Sequence, residues 1–195
     1  MCAMFPPPTR QVVLCDRAGN AQGTCDVMDA HRRPGMLHRA FSVFVFRQDG
    51  RELLIQQRSG SKPLFSRLWA NSCCSHPARP DEDVVVAAER RLEEELGFTL
   101  ALQKARSFVY RAEDPRARGV EHEHDTVLVG RAREAVAVRP DPSEIAAWKW
   151  IGVSQLRTDL QQHPQRYAPW LAEALRIALA HLAAVRDADQ DSARP

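Results

Sequence analysis

The sequence predicts an α+β fold, a mixed β-sheet core flanked by helices. Three observations predict it. Short apolar runs alternate with turn residues, one helix is delimited at both ends, and a second amphipathic helix closes the chain. In order, Gln11 to Leu14 reads as a strand, and Asp16-Arg17-Ala18-Gly19-Asn20 turns it into a hairpin. Arg32-Arg33-Pro34-Gly35 breaks the chain. Ala40 to Phe46 is then a buried strand, and Glu52 to Gln56 returns as its partner after Gln48-Asp49-Gly50. Residues 58–83 read as a long irregular connection, the kind of segment that often carries function. Val84 to Leu96 is the clearest helix, with acidic residues before it and Gly97 as its C-cap. Phe108–Arg111, Thr126–Gly130 and Ala147–Ile151 are further strand candidates. Ser154 is expected to cap a helix through Gln162, and Pro169 to open a last helix to about Arg186.

The chain has 195 residues, 44% hydrophobic and 27% charged, which suits one ordinary globular domain. We expect a single domain over 1–186 and a disordered tail over 187–195. A net charge of +2 gives no reason to expect nucleic acid as a partner. No apolar run approaches a membrane span, and no signal-peptide pattern opens the chain, so the expectation is a cytoplasmic protein without a membrane partner. The five cysteines, an odd number, then read as free thiols in a reducing compartment. A bond between the adjacent Cys73 and Cys74 would strain the peptide joining them.

Three groups of residues could carry chemistry. His31 and His38 are separated by Pro34-Gly35, so a bent loop could bring both rings to one point. In "EHEH", Glu121 to His124, the strand period of two puts Glu121 and Glu123 on one face and His122 and His124 on the other. Which face looks inward is open at this level, and a solvated strand end is the plain alternative. "NSCCSHP", Asn71 to Pro77, sets two cysteines just before His76. Three imidazoles with two carboxylates suit a borderline divalent ion such as zinc or manganese.

The helix adds a further pattern. "ERRLEEELGF" supplies Arg90, Leu92, Glu94, Glu95, Gly97 and Phe98, with Glu82 ahead of them. This is similar to the Nudix signature, in which helix carboxylates hold magnesium on a diphosphate. His76 replaces its first glycine and Arg91 its glutamate after the arginine. A salt-bridged exposed helix would give part of the same pattern.

Together with "WANSCCSHP" at 69–77, "YRAEDP" at 110–115, "EHE" at 121–123 and "HRRPGMLHRAFSVFVF" at 31–46, the chain resembles the type I isopentenyl-diphosphate isomerases from about His31 to about Trp170. The resemblance implies a Nudix-type fold and interconversion of isopentenyl and dimethylallyl diphosphate by 1,3-allylic proton transfer. It implies that Cys74 and Glu123 act on opposite faces of the substrate. It implies that Tyr110 assists protonation and that Trp170 stabilises a tertiary cation. It implies diphosphate contacts from Arg58, Lys62 and Arg91. One Zn2+ or Mn2+ is expected on His31, His38, His76, Glu121 and Glu123, and Mg2+ on Glu95 and the Cys74 backbone carbonyl. A small diphosphate is the expected partner, and the chain is expected to be a monomer or weak dimer. One position departs: Val27 stands where the family often has a lysine reaching the diphosphate. A Nudix hydrolase and a thiol-based sensor are the rival readings.

Overall fold

The computed structural model describes residues 10–192. Strands β1 (Gln11–Cys15) and β2 (Ala21–Asp26) form the expected hairpin, closed by Asp16, whose Oδ1 accepts from the N–H groups of Ala18 and Asn20. One turn of helix, α1 (Val27–Ala30), leads through the Arg32–Gly35 break into β3 (His38–Arg47). β3 is the central strand. It pairs parallel with β8 (Val120–Arg131) over the register His38↔Glu123 to Phe46↔Arg131. β4 (Glu52–Arg58) meets β3 only at its far end and pairs mainly with β9 (Ile145–Gly152). The connection expected over 58–83 contains two short strands, β5 (Trp69–Ala70) on β4 and β6 (Cys73–Ser75) on β3. β7 (Leu102–Glu113) completes the nine-stranded mixed sheet beside β8.

Helix α2 (Val84–Leu96) has the expected bounds. Asp83 caps it by accepting from the N–H groups of Val85 and Val86. Gly97 ends it at φ 73°, a left-handed conformation, where a Cβ would lie 2.8 Å from the Arg139 side chain. α3 (Val153–Gln162) is capped by Gly152 and not by Ser154, which falls inside the helix. This corrects the sequence expectation: the chain turns directly from β9 into α3 and leaves no room for a serine cap. α4 (Leu171–Ser192) runs past the expected end near Arg186, because its helical backbone continues into 187–192. The rest of the expected tail, 193–195, lies outside the described residues, as does Cys2.

Strand alternation divides the core in two. Phe41, Val43 and Val45 of β3 and Leu128 of β8 pack with Ala88, Leu92 and Leu96 of α2. Phe44, Phe46, Val127 and Val129 face the other way and pack with Leu171, Ala174, Leu175 and Ala178 of α4. His38, Ser42, Glu121, Glu123 and Asp125 lie on this second face, upstream of its apolar part. Among the described residues, no helix is long and apolar enough to cross a membrane.

Candidate active site

Glu123 sits mid-row across three strands. His38 of β3 is its register partner on one side and Tyr110 of β7 on the other. Both contacts form: Glu123 Oε1 lies 3.5 Å from His38 Nε2, and the Tyr110 hydroxyl donates to Glu123 Oε2 at 2.6 Å. The same hydroxyl lies 2.9 Å from Glu121 Oε2. The inward face of "EHEH" is therefore the carboxylate face. His122 and His124 point the other way and are half-buried.

His31 and His76 complete a cluster. The rings of His31 and His38 are 4.9 Å apart between centroids, as are those of His38 and His76. Ligand atoms of His31, His38, His76 and Glu123 all lie within 4.8 Å of one another. The Nδ1 atoms of His31 and His38 are engaged by the Val27 and Met36 carbonyls, at 2.5 and 2.8 Å. With Nδ1 donating, Nε2 is left as the lone-pair donor. His38 Nε2 is buried without a hydrogen-bond partner. Burial holds His31 below its ordinary pKa and pushes His76 down to about 3, which keeps both rings in the neutral, ligating form. This donor set and the orphaned nitrogen fit a divalent ion of the zinc or manganese type. Glu121, expected as a further ligand, stands outside the four-residue set and is held by Tyr110 instead.

Burial and the neighbouring charge of Glu123 push Glu121 up to about 8. Burial opposes the charge on Glu123, but the neighbouring His38 and His76 rings outweigh it and hold its carboxyl well below the usual range. The two buried carboxyls thus share one negative charge near neutral pH, Glu121 keeping the proton. Burial, then Glu121 and Glu123, raise the Tyr110 phenol, which stays protonated and donates to Glu123.

β6 carries the two cysteines to opposite sides of the sheet. Cys73 is fully buried against α2, close to Glu95. Cys74 faces the cavity beside Tyr110 and Trp170. Burial pushes its thiol up to about 12, so it is neutral. Its Sγ lies 2.9 Å from Asn71 Oδ1, which also accepts from Trp170 Nε1 at 3.0 Å. Ser42 Oγ donates to Asp125 Oδ2 at 2.7 Å and approaches Cys74 Sγ at 3.9 Å. Trp170 packs edge-on to Phe65 and tilted against Tyr110, and the Arg58 guanidinium stands over its ring at 5.4 Å.

Cys74, Tyr110, Glu121, Glu123 and Trp170 line one inner cavity of about 50 Å³. It opens into a mouth of about 280 Å³ that shares Arg10, Arg58, Lys62, His76 and Glu121 with it. A larger groove at Arg47–Arg51 and Arg131–Glu134 lies elsewhere and holds none of these groups. Arg58 and Lys62, expected as diphosphate contacts, both line the mouth. Arg91 and Glu95 do not line it: Arg91 is ion-paired with Glu94, Glu95 and Glu144 on the α2 side. Burial raises Glu95 above its ordinary pKa, more than the Arg91 charge lowers it. Sequence reasoning missed Arg10, Ser42, Asn71, Asp125 and Glu144. Asn71 and Ser42 lay within quoted motifs, and an amide or a hydroxyl there carries no signal of its own.

Comparison with known proteins gives the family. The NUDIX domain family profile matches residues 36–173. A Nocardia farcinica (strain IFM 10152) protein named Isopentenyl-diphosphate Delta-isomerase is 49% identical over 167 residues, covering 86% of this chain and 93% of that protein. A protein of the same name from Halorhodospira halophila (strain DSM 244 / SL1) is 47% identical, covering 85% and 93%. A crystal structure of a Deinococcus radiodurans protein superposes with a TM-score of 0.66 at 20% identity, covering 86% of this chain and 98% of that one, and supports the fold. The chain belongs to the NUDIX family, and within it to the isopentenyl-diphosphate Delta-isomerase family of enzymes.

Proposed function

We propose that the protein interconverts isopentenyl and dimethylallyl diphosphate by a 1,3-allylic proton transfer. The observation that carries this reading is the shared inner cavity: a neutral thiol, Cys74, and an anionic carboxylate, Glu123, both face it, with the Trp170 indole in its wall. An alkene without activating groups is protonated only if acid and base are already placed and water is kept out. Cys74 and Glu123 serve as that pair, one giving a proton to the alkene and the other removing one from the adjacent carbon. The reverse reaction exchanges their roles. Tyr110 assists the protonation step by holding a proton between Glu121 and Glu123. The Trp170 face stabilises the tertiary cation through its quadrupole. Asn71 fixes the thiol and the indole together.

His31, His38, His76 and Glu123 would hold one zinc or manganese ion, with Glu121 adjoining, and that charge would tune the proton affinity of Glu123. Glu95 and the Cys74 carbonyl are the donors the resemblance offers for magnesium, but Arg91 holds Glu95 away from the mouth, so the diphosphate charge falls to the cations there. Arg58 and Lys62 bind phosphate oxygens at the mouth. Arg91 acts there through Glu144, which joins it to Lys62. Diphosphate hydrolysis is the weaker reading, because Glu94 and Glu95 are already bound to Arg91 and Arg91 stands at a signature carboxylate position.

The test is incubation of the metal-loaded protein with isopentenyl diphosphate and magnesium in heavy water, followed by NMR. Dimethylallyl diphosphate should form with deuterium uptake at the allylic positions. Release of phosphate without isomerisation, or no product from folded protein, would overturn the proposal.

A further inference from the structure

The mouth of the cavity holds more cationic charge than its own carboxylates neutralise. Lys62 is ion-paired with Glu144, and Arg91 with Glu94, Glu95 and Glu144. Arg58 differs. It is only 7% exposed, it donates to the Leu64 carbonyl at 3.0 Å, and its Nε is buried without a partner. Arg10 differs too. It lines both the mouth and the inner cavity, and its Nη2 donates to Ser75 Oγ at 2.7 Å. Among the described residues it makes no ion pair with a carboxylate. Burial and the charge of Arg91 disfavour its cation by more than Glu144 and Glu95 favour it. Two guanidinium groups without carboxylate partners at one opening leave a site short of negative charge.

The position of Arg10 is equally informative. The Val27 N–H donates to the Arg10 carbonyl at 2.8 Å, one step beyond the Gln11↔Asp26 pair of the hairpin. Arg10 is thus the cross-strand neighbour of Val27, where the sequence reading found a cation missing. The bond to Ser75, between Cys74 and His76, holds the guanidinium at the mouth and, among the described residues, engages only one of its N–H donors. The remaining donors suit the paired oxygens of a phosphate.

We infer that Arg10 is a diphosphate-binding residue, gripping phosphate oxygens with Arg58 and supplying the cation that Val27 does not. The inference rests on the proposed isomerase reading for its substrate and on the unpaired guanidinium groups for its site.

Inorganic pyrophosphate with magnesium is the probe, titrated by calorimetry into the wild type, Arg10→Ala, Arg10→Gln and the double variant Arg10→Ala/Val27→Lys. Loss of a charge-assisted contact should weaken binding about 10- to 100-fold in Arg10→Ala. Arg10→Gln keeps a donor for Ser75 and should weaken nearly as much. Val27→Lys should recover most of the loss, and KM for isopentenyl diphosphate should move in step. Wild-type affinity in Arg10→Gln would overturn the inference. So would a loss in folded Arg10→Ala that Val27→Lys leaves untouched. Arg10-dependent pyrophosphate binding without isomerisation would sink the isomerase reading alone. Isomerisation with Arg10-independent KM and pyrophosphate affinity would sink the Arg10 assignment alone.

Discussion

Cys74 Sγ and Trp170 Nε1 share one acceptor, Asn71 Oδ1, at 2.9 and 3.0 Å. The Asn71 side chain is itself fixed, its Nδ2 donating to the Val43 and Cys73 carbonyls at 3.1 and 2.9 Å. Replacing Asn71 with Ala orphans two buried donors at about 1–3 kcal/mol each. We predict a lowered melting temperature and a kcat reduced about 10-fold or more, with a smaller change in KM. Thermal melts and steady-state kinetics on Asn71→Ala check this, and unchanged kcat would detach Asn71 from the site.

Cys73 and Cys74 face opposite sides of β6, so their substitutions should differ. Cys74→Ala and Glu123→Gln should abolish turnover while circular dichroism stays native. Cys73→Ala should remain active and lose about 1 kcal/mol from the small cavity left against α2. A dead but folded Cys73→Ala protein would mean that the wrong thiol has been chosen.

The imidazole cluster predicts metal-dependent stability. A free ion at about 100 times its dissociation constant should add about 3 kcal/mol to folding. Chelation should therefore lower the melting temperature, and zinc or manganese should restore it. In His38→Ala the shift should vanish and bound metal, measured by plasma mass spectrometry, should fall. Full metal content in that variant would remove His38 from the ligand set.

Asp114 anchors the loops beside the cavity. It accepts from the Phe65 N–H at 2.6 Å, the Arg116 N–H at 2.8 Å and the Arg118 guanidinium at 2.9 Å. Burial opposes its charge, but these bonds outweigh it and hold its carboxyl down at about 2, below the ordinary 3.8. A lowered pKa stabilises the fold above the unfolded value and loses that effect as pH falls through the folded one. Asp114→Asn should therefore cost about 1–3 kcal/mol at neutral pH. The gap from the wild type should shrink between about pH 4 and pH 2, as denaturant melts across that range would register. A gap independent of pH would show that the charge on Asp114 is not what matters.

Much of this was legible because local signals agreed. Helix α2 had acidic residues before it, an apolar face and Gly97 behind it, and its bounds came out as read. The alternation in "EHEH" correctly paired Glu121 with Glu123, but only the docking of β8 between β3 and β7 shows which pair points inward. Parallel pairing of β3 with β8 joins residues far apart in sequence and leaves no periodic trace. Asn71, Ser42 and Asp125 act through hydrogen bonds that any polar residue might make, so type and spacing do not mark them. Arg10 was hidden for a related reason: its neighbour Val27 is near in the hairpin and distant along the chain.

The ladder between β3 and β8 has one more consequence. Side chains alternate, so a zipper closed one tooth out would keep its hydrogen bonds and turn Glu121 and Glu123 to the outside. His122 and His124 would come inward in their place, and no carboxylate would meet His38. The carboxylate of the ion-holding cluster is therefore a reading-frame check on the sheet, meeting the three imidazoles only when the strands have closed in the correct frame. A misaligned molecule would resemble the native one to any probe of secondary structure and betray itself by lacking turnover, since Glu123 would no longer face Cys74.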